Sequence, residues 1–292
     1  MTDKNPFPGE KNTGHIWDDM IRELTNPPPR WWMIAFVASL LFVVGYSILY
    51  PTWPGITGFT KGILGWTSIK EYKEGVSEVD DKRAKFEARL EGLSAKEILA
   101  DTDLFKYTKA SAKVIFGDYC AACHGSVGQG NTGFPVLIDD DWLYGGTIEK
   151  IEETITLGRK GIMPAKGGQT LSEKDIATLA NYVHDLSQEN QGKENLEGKN
   201  LFMQKGCVGC HGMDAKGMQA MGSANLADPI WRFTPEGDQS ILDSARYTIT
   251  HGVNDPSNPK SRNAEMPSFR ERLDETTIRK LAVFVHALGG GQ

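Results

Sequence analysis

Two five-residue stretches, Cys120-Ala121-Ala122-Cys123-His124 and Cys207-Val208-Gly209-Cys210-His211, use every cysteine of the 292-residue chain. Both read C-x-x-C-H, the attachment pattern of c-type haem. Two thiols one helical turn apart add to the vinyl groups on one porphyrin edge, and the following imidazole is placed to bind the iron. Each residue type has a task that substitution spoils. A zinc site needs paired C-x-x-C elements at much closer spacing, and a dithiol redox motif has no use for a histidine twice. The pattern implies two covalently bound haem c groups, attached through Cys120, Cys123, Cys207 and Cys210, with His124 and His211 as axial ligands.

The length allows about two domains at roughly 100–200 residues each. With a net charge of −6 and no basic cluster, the chain is not a nucleic-acid binder. An acidic face suits basic soluble electron carriers, as a matter of steering. No cysteine remains for a structural disulfide. Because c-type cytochromes are assembled outside the cytoplasm, the haem-bearing part is expected there.

From Trp31 to Thr60 no residue is charged, and Trp31 to Tyr50 is almost wholly apolar. About twenty such residues span a bilayer. Arg30, Trp31, Trp32, Tyr50 and Trp53 stand at its ends as interfacial anchors, and Pro51 and Pro54 stop the helix. A cleaved signal peptide fits poorly: the segment starts about thirty residues in, exceeds an h-region and has no small-residue cleavage site. Lys4, Lys11, Arg22 and Arg30 before the span, against Lys61 and Lys70 after it, lean only weakly towards a cytoplasmic N-terminus. The haem motifs decide the orientation, N-terminus in and C-terminus out. Before the span, Ile16, Trp17, Met20, Ile21 and Leu24 recur at helical spacing over His15–Leu24, with Asp18, Asp19 and Glu23 towards the other side. This predicts a short amphipathic helix against the membrane or a partner, broken by Pro27-Pro28-Pro29. Ile69 to Asp103 reads as a solvated helical connector, with Ser94 and Glu97 spaced as a capping box.

The remainder is one unit written twice. Leu171 to Leu186 aligns without a gap with Leu273 to Leu288. Ile176, Leu179, Val183 and Leu186 recur as Ile278, Leu281, Val285 and Leu288, an apolar stripe on each terminal helix. Leu137 and Trp142 answer Leu226 and Trp231, and Ile155-Thr-Leu-Gly158 answers Ile249-Thr-His-Gly252. Met163-Pro164 answers Met266-Pro267, after an insertion in the second copy. A thioether on a proline-stiffened loop suits iron and favours the reduced state. Met163 and Met266 are therefore the expected sixth ligands. Met203, Met213, Met218 and Met221 have no counterpart in the first copy. His184 and His286 do recur, but mid-helix beside the apolar stripe, and His251 stands where the first copy has Leu157. Each methionine is taken to serve the haem of its own copy, with exchange of loops left open. Trp142 and Trp231 are expected at the porphyrin or in the core, and Arg159 at a haem propionate or on the surface.

The segments Gly14-His15-Ile16-Trp17-Asp18-Asp19, Glu23-Leu24-Thr25-Asn26-Pro27-Pro28-Pro29-Arg30-Trp31-Trp32, Tyr50-Pro51-Thr52-Trp53-Pro54-Gly55 and Gly62-Ile63-Leu64-Gly65-Trp66 resemble the N-terminal part of the dihaem subunit of cbb3-type cytochrome c oxidases. The resemblance extends over nearly the whole chain. It implies a mainly α fold, with one N-terminal transmembrane helix followed by two tandem class I cytochrome c domains. The expected layout is a cytoplasmic segment with a short amphipathic helix over 1–30, the span over 31–50, a charged helical connector over 51–104, and cytochrome c domains over 105–190 and 191–292. It also implies that the chain sits in a bacterial inner membrane with its haem domains periplasmic. Electrons would come from a donor cytochrome c and go to the monohaem subunit, then to the haem-copper subunit that reduces oxygen. The chain would have no catalytic role of its own. Cys120, Cys123, His124 and Met163 would hold one haem, and Cys207, Cys210, His211 and Met266 the other. A free-standing membrane dihaem carrier, the cytochrome subunit of a periplasmic dehydrogenase, and a dihaem peroxidase with an open iron share the haem motifs but do not require the Asn-Pro-Pro-Pro-Arg-Trp-Trp segment.

Overall fold

The computed structural model describes residues 9–18, 20–188, 194–233 and 241–291. Asp19 and Lys4, both used above, lie outside the described residues. The chain divides into two compact units, Met1–Arg83 and Ala84–Gln292.

In the first unit the amphipathic helix expected over His15–Leu24 is replaced by a β-hairpin. Strand β1 (Asn12–Trp17) pairs antiparallel with β2 (Ile21–Leu24), with Ile16 opposite Arg22 and Trp17 opposite Ile21. The physical reason is local. Ten residues are too few for a lone helix in water. Asp18 turns the chain at φ +49°, and the Ile and Trp residues flanking that turn suit strands. The Arg22 guanidinium donates to both carboxylate oxygens of Glu10 and fastens the hairpin base.

Helix α1 (Arg30–Leu49) is apolar on every face and none of its residues is buried. That is the profile of a bilayer span rather than of a core helix. Its last carbonyls find partners beyond the prolines: the N–H groups of Ile63 and Leu64 donate to Ile48 and Leu49 oxygens at 3.0 and 3.1 Å. The fold-back passes through Gly62, at φ +65°, where a Cβ would lie 2.4 Å from the Leu49 oxygen. A two-residue ladder, β3 (Pro54–Gly55) with β4 (Gly58–Phe59), closes the loop between them.

The connector is helical as expected, α2 (Ser68–Leu90) and then α3 (Ala95–Ala100), and the Ser94–Glu97 capping box is present. Its far end is not solvated, however. Leu90, Ala95 and Ile98 are buried in the core of the second unit, where the apolar residues of α3 meet α4 (Thr102–Tyr119). The first copy continues with α5 (Ala121–His124), α6 (Ile148–Leu157), β5 (Arg159–Lys160) and α7 (Glu173–Leu186). The second supplies α8 (Leu196–Gln204), α9 (Val208–His211), α10 (Ile241–His251), β6 (Glu265–Met266) and α11 (Glu275–His286).

The two copies exchange their terminal helices. Helix α11 packs on α4 and α6 of the first copy and on α3 of the connector, and α7 packs on α8 and α10 of the second. One core therefore joins Ile98, Leu104, Phe116, Ile148, Ile151 and Ile155 to Ile278, Leu281 and Val285. Another joins Ile176, Leu179, Tyr182 and Leu186 to Phe202 and Ala215. The sequence boundary near 190 separates two copies but not two self-contained bodies. Lys280 shows the exchange in polar form. It is buried on α11, and its ammonium donates to Glu87 of α2 at 2.9 Å.

Candidate haem sites

Each C-x-x-C-H forms a single helical turn at the mouth of one core. Cys120 closes α4 by donating its N–H to the Phe116 oxygen at 2.9 Å, and the His124 N–H then donates to the Cys120 oxygen. The His211 N–H repeats this bond to Cys207. Cysteines three residues apart therefore share a face. Gly125 and Gly212, at φ +77° and +80°, end the turn in a conformation that favours glycine. Burial pushes the Cys120 thiol up to about 11, helped by the neighbouring Cys123, and raises Cys207 as well.

The two histidines are aimed alike. His124 Nδ1 lies 3.0 Å from the Pro135 oxygen and His211 Nδ1 lies 3.0 Å from the Ala224 oxygen. A carbonyl only accepts, so Nδ1 carries the proton and Nε2 keeps its lone pair for iron. Burial depresses both imidazoles below their ordinary value, opposed by these hydrogen bonds; at His124 the Arg232 charge adds to the depression. Neutral imidazole is the form that ligates. Pro135 and Ala224 were not singled out in the sequence, because a backbone acceptor has no residue signature.

The methionine loops follow the exchanged helices. Met266 packs against the core that contains Cys120 and Ala121. Its strand β6 pairs with β5, Arg159 opposite Met266, and the next residues run along the end of α6: Ser268 Oγ donates to the Thr156 oxygen and the Phe269 N–H to Ile155. Met163 exchanges both backbone hydrogen bonds with Val253 at 2.9 Å, just past α10. The Ala165 N–H donates to the Asp255 carboxylate at 2.7 Å. Two matched glycines permit these approaches. A Cβ on Gly158 would lie 2.4 Å from the Met266 oxygen, and one on Gly252 would lie 2.3 Å from the Met163 oxygen. Each Met-Pro loop thus docks on the other copy's I-T-x-G turn.

Of the other candidates, Trp142 donates to the Gly290 oxygen at 2.5 Å and packs against the first core. Trp231 packs beside Ala180, Val183 and Ala245, and its Nε1–H is buried with no hydrogen-bond partner among the described residues. Arg159 is engaged locally by Glu153, Thr154 and the face of Tyr144. His184 and His286 lie in the last turns of α7 and α11, not mid-helix. Arg232, unremarked in the sequence, is a half-buried guanidinium 3.5 Å from Asp141; its pKa is lowered by desolvation, against the attraction of Asp141 and its neighbours.

A cofactor with two thioethers, one imidazole, one thioether-sulfur ligand and a hydrogen-bond acceptor at its rim fits what is present. The paired cysteines, the freed Nε2 atoms, the Met-Pro loops and the orphaned Trp231 N–H agree on that chemistry.

Three families match the chain in succession. Residues 9–57 match the N-terminal domain of cytochrome oxidase-cbb3, FixP; residues 108–183 match cytochrome c oxidase, cbb3-type, subunit III; residues 196–289 match cytochrome c. The cbb3-type cytochrome c oxidase subunit FixP of Azorhizobium caulinodans is 40% identical over 97% of this chain and 94% of its own length. The FixP subunit of Bradyrhizobium diazoefficiens is 39% identical over the full length of both. The CcoP subunit of Cereibacter sphaeroides is 36% identical over 98% of this chain and 97% of its own.

Proposed function

As the chain belongs to the family of FixP and CcoP subunits of cbb3-type cytochrome c oxidases, we propose that it is the membrane-anchored dihaem relay of such an oxidase. In this reading it takes electrons from a donor cytochrome c and passes them to the monohaem and haem-copper subunits. The observation that carries the reading is the pair of C-x-x-C-H turns, each with its histidine held through Nδ1 and a Met-Pro loop docked on the same core. Bound haem supplies one-electron redox chemistry. The chain's own Cys120, Cys123 and His124 would hold it at one site and Cys207, Cys210 and His211 at the other. In this reading Met266, which packs on the core beside Cys120, would be the methionine of the first site, and Met163, which bonds Val253 past α10, that of the second. With a histidine and a methionine held at each site, the chain would carry electrons without turning over a substrate of its own. Arg30, Trp31, Trp32 and Trp53 set α1 at the bilayer boundaries, with the haem domains on the periplasmic side and the N-terminus in the cytoplasm.

The purified complex tests this directly. Pyridine haemochrome assay should return two haem c from this chain, and its pull-down should bring haem b and copper. A free-standing carrier or a dehydrogenase subunit would bring neither. Ligand assignment is read in chains that keep one attachment pair. With only Cys207 and Cys210 kept, Met163→His should abolish the methionine-to-iron charge-transfer band and Met266→His should leave it. The opposite result would restore each methionine to its own copy.

A further inference from the structure

Residues 159–163 of the first copy meet the second copy at both ends. At one end Arg159 pairs with Met266; at the other Met163 exchanges backbone hydrogen bonds with Val253. Between them lies Gly161, whose oxygen accepts a hydrogen bond from the Asn254 amide at 2.7 Å. The same side chain holds the other loop. Its amide donates to the Ala264 oxygen at 2.9 Å, and its Oδ1 accepts from the Ala264 N–H at 2.9 Å. Gly161 stands two residues before Met163, and Ala264 stands two before Met266. One half-buried side chain therefore grips both methionine loops at matching places.

The chemistry of that grip admits few other residues. It needs two N–H donors and one acceptor oxygen, which a primary amide supplies from one short side chain. Turned end for end, the amide would set its oxygen against two carbonyls and its nitrogen against an N–H, so the partners fix its orientation. Asparagine also tolerates the backbone conformation found here, φ +49°, better than most side chains. The Asn254 N–H donates to the Arg262 oxygen at 2.7 Å, which closes the insertion that sets the second copy apart. Counted from the matched glycines, Gly158 and Gly252, Lys160 stands in the first copy where Asn254 stands in the second. Its side chain is exposed and pairs with Glu265. The first copy has no amide at this place.

We propose that Asn254 is a positioning residue for both sixth ligands: through Gly161 and Ala264 it holds the Met163 loop and the Met266 loop at once. The inference rests on the reading of those methionines as iron ligands, and it stands whichever iron each one serves. A methionine that leaves its iron must draw its loop away from this amide. Methionine ligation keeps a haem potential high, so one side chain, touching neither ligand, helps to set both potentials.

The test uses the full-length chain with both haems, purified in detergent and oxidised. Imidazole competes for the methionine position, and loss of the methionine-to-iron charge-transfer band reports its binding. Asn254→Gly keeps the backbone conformation and removes the amide. It should tighten imidazole binding about fivefold at both haems, the weight of roughly one neutral hydrogen bond lost per loop. Both midpoint potentials should fall. Asn254→Asp keeps size and backbone preference but turns an oxygen towards the Gly161 and Ala264 carbonyls, so it should act more strongly than glycine. A side chain that merely filled space would give the reverse order, which overturns the proposal. Ser268→Ala is the one-sided comparison. Its hydroxyl anchors the Met266 loop on the Thr156 oxygen and has no bond to the Met163 loop among the described residues, so one haem alone should respond. Asn254 variants with the parental imidazole affinities, or with an effect at one haem alone, also overturn the proposal. If neither variant retains both haems, hydrogen exchange in the reduced parent chain decides. The two side-chain amide protons of Asn254 and the Ala264 N–H should exchange slowly, and exchange at the rate of a free asparagine amide overturns the grip. A parent chain with no methionine-to-iron band would instead strike at the ligand reading itself.

Discussion

Pro135 and Ala224 perform the same task in the two copies, yet the chain reaches them by different routes, eleven residues beyond His124 and thirteen beyond His211. The shared part is the buried geometry. Each copy has a one-turn attachment motif, a carbonyl holding Nδ1, a glycine that admits a Met-Pro loop and an amphipathic terminal helix. The different part is at the surface, where one loop exposes Val127 and Phe134 and the other Met213, Met218 and Met221. Ligation geometry tolerates little variation, because the ligand atoms must meet one iron. Exposed side chains carry no such constraint. A duplicated unit can therefore keep two equivalent sites while giving them different neighbours.

The crossed packing of the two copies can be attacked through its core. Leu281 on α11 and Leu179 on α7 are equivalent in sequence, and both are buried. Leu281→Ala should cost about 2–5 kcal/mol, the range for deleting a well-packed leucine. In denaturant titrations followed by visible absorption, its effect should fall first on the haem attached through Cys120 and Cys123. Leu179→Ala should instead act first on the haem attached through Cys207 and Cys210. Each variant loosening the haem of its own copy would break the exchange.

The glycine pair gives a smaller effect and a sharper one. Gly252→Ala puts a side chain at φ +74° and against the Met163 carbonyl, a strain of about 1–3 kcal/mol. The methionine band of the second site should weaken, and that of the first should stay. Gly158→Ala should do the reverse. Gly117, where an added Cβ meets nothing within 4 Å, is the control, and alanine there should be harmless or mildly stabilising.

The smallest effect separates the two terminal helices at their caps. Ser172 and Asp175 form a reciprocal box at the start of α7, while Asp274 alone caps α11. Ser172→Ala should cost about 1 kcal/mol and act on the second site, onto which α7 packs. Hydrogen bonds from the Ser172 backbone and hydroxyl hold the Asp175 carboxyl below its ordinary value. A carboxyl depressed by folding stabilises above its unfolded value and loses that contribution as pH falls through the folded one. The variant's acid denaturation limb should therefore be shallower than that of the parent chain.

The chain's pattern pointed to the candidate attachment cysteines and histidines, the apolar span, the duplicated unit and the two candidate methionines. Those features are written in residue type and spacing, and a thioether or an imidazole announces its chemistry wherever the chain folds. It also indicated the Ser94–Glu97 cap, because both partners lie within one turn. The hairpin over Asn12–Leu24 was hidden because a run of ten residues satisfies the helical and the extended pattern almost equally, and Asp18 tips the choice through a positive φ. The buried end of the connector was hidden because Leu90 and Ile98 are scattered among charges, and only their packing against α4 and α11 shows their use. Which I-T-x-G turn each Met-Pro loop meets belongs wholly to the tertiary structure. Helices α7 and α11 present the same apolar stripe at the same spacing, so periodicity says which face seeks cover and nothing of which copy covers it. Three-dimensional packing alone chose the crossed arrangement, with Gly158 and Gly252 making room for it.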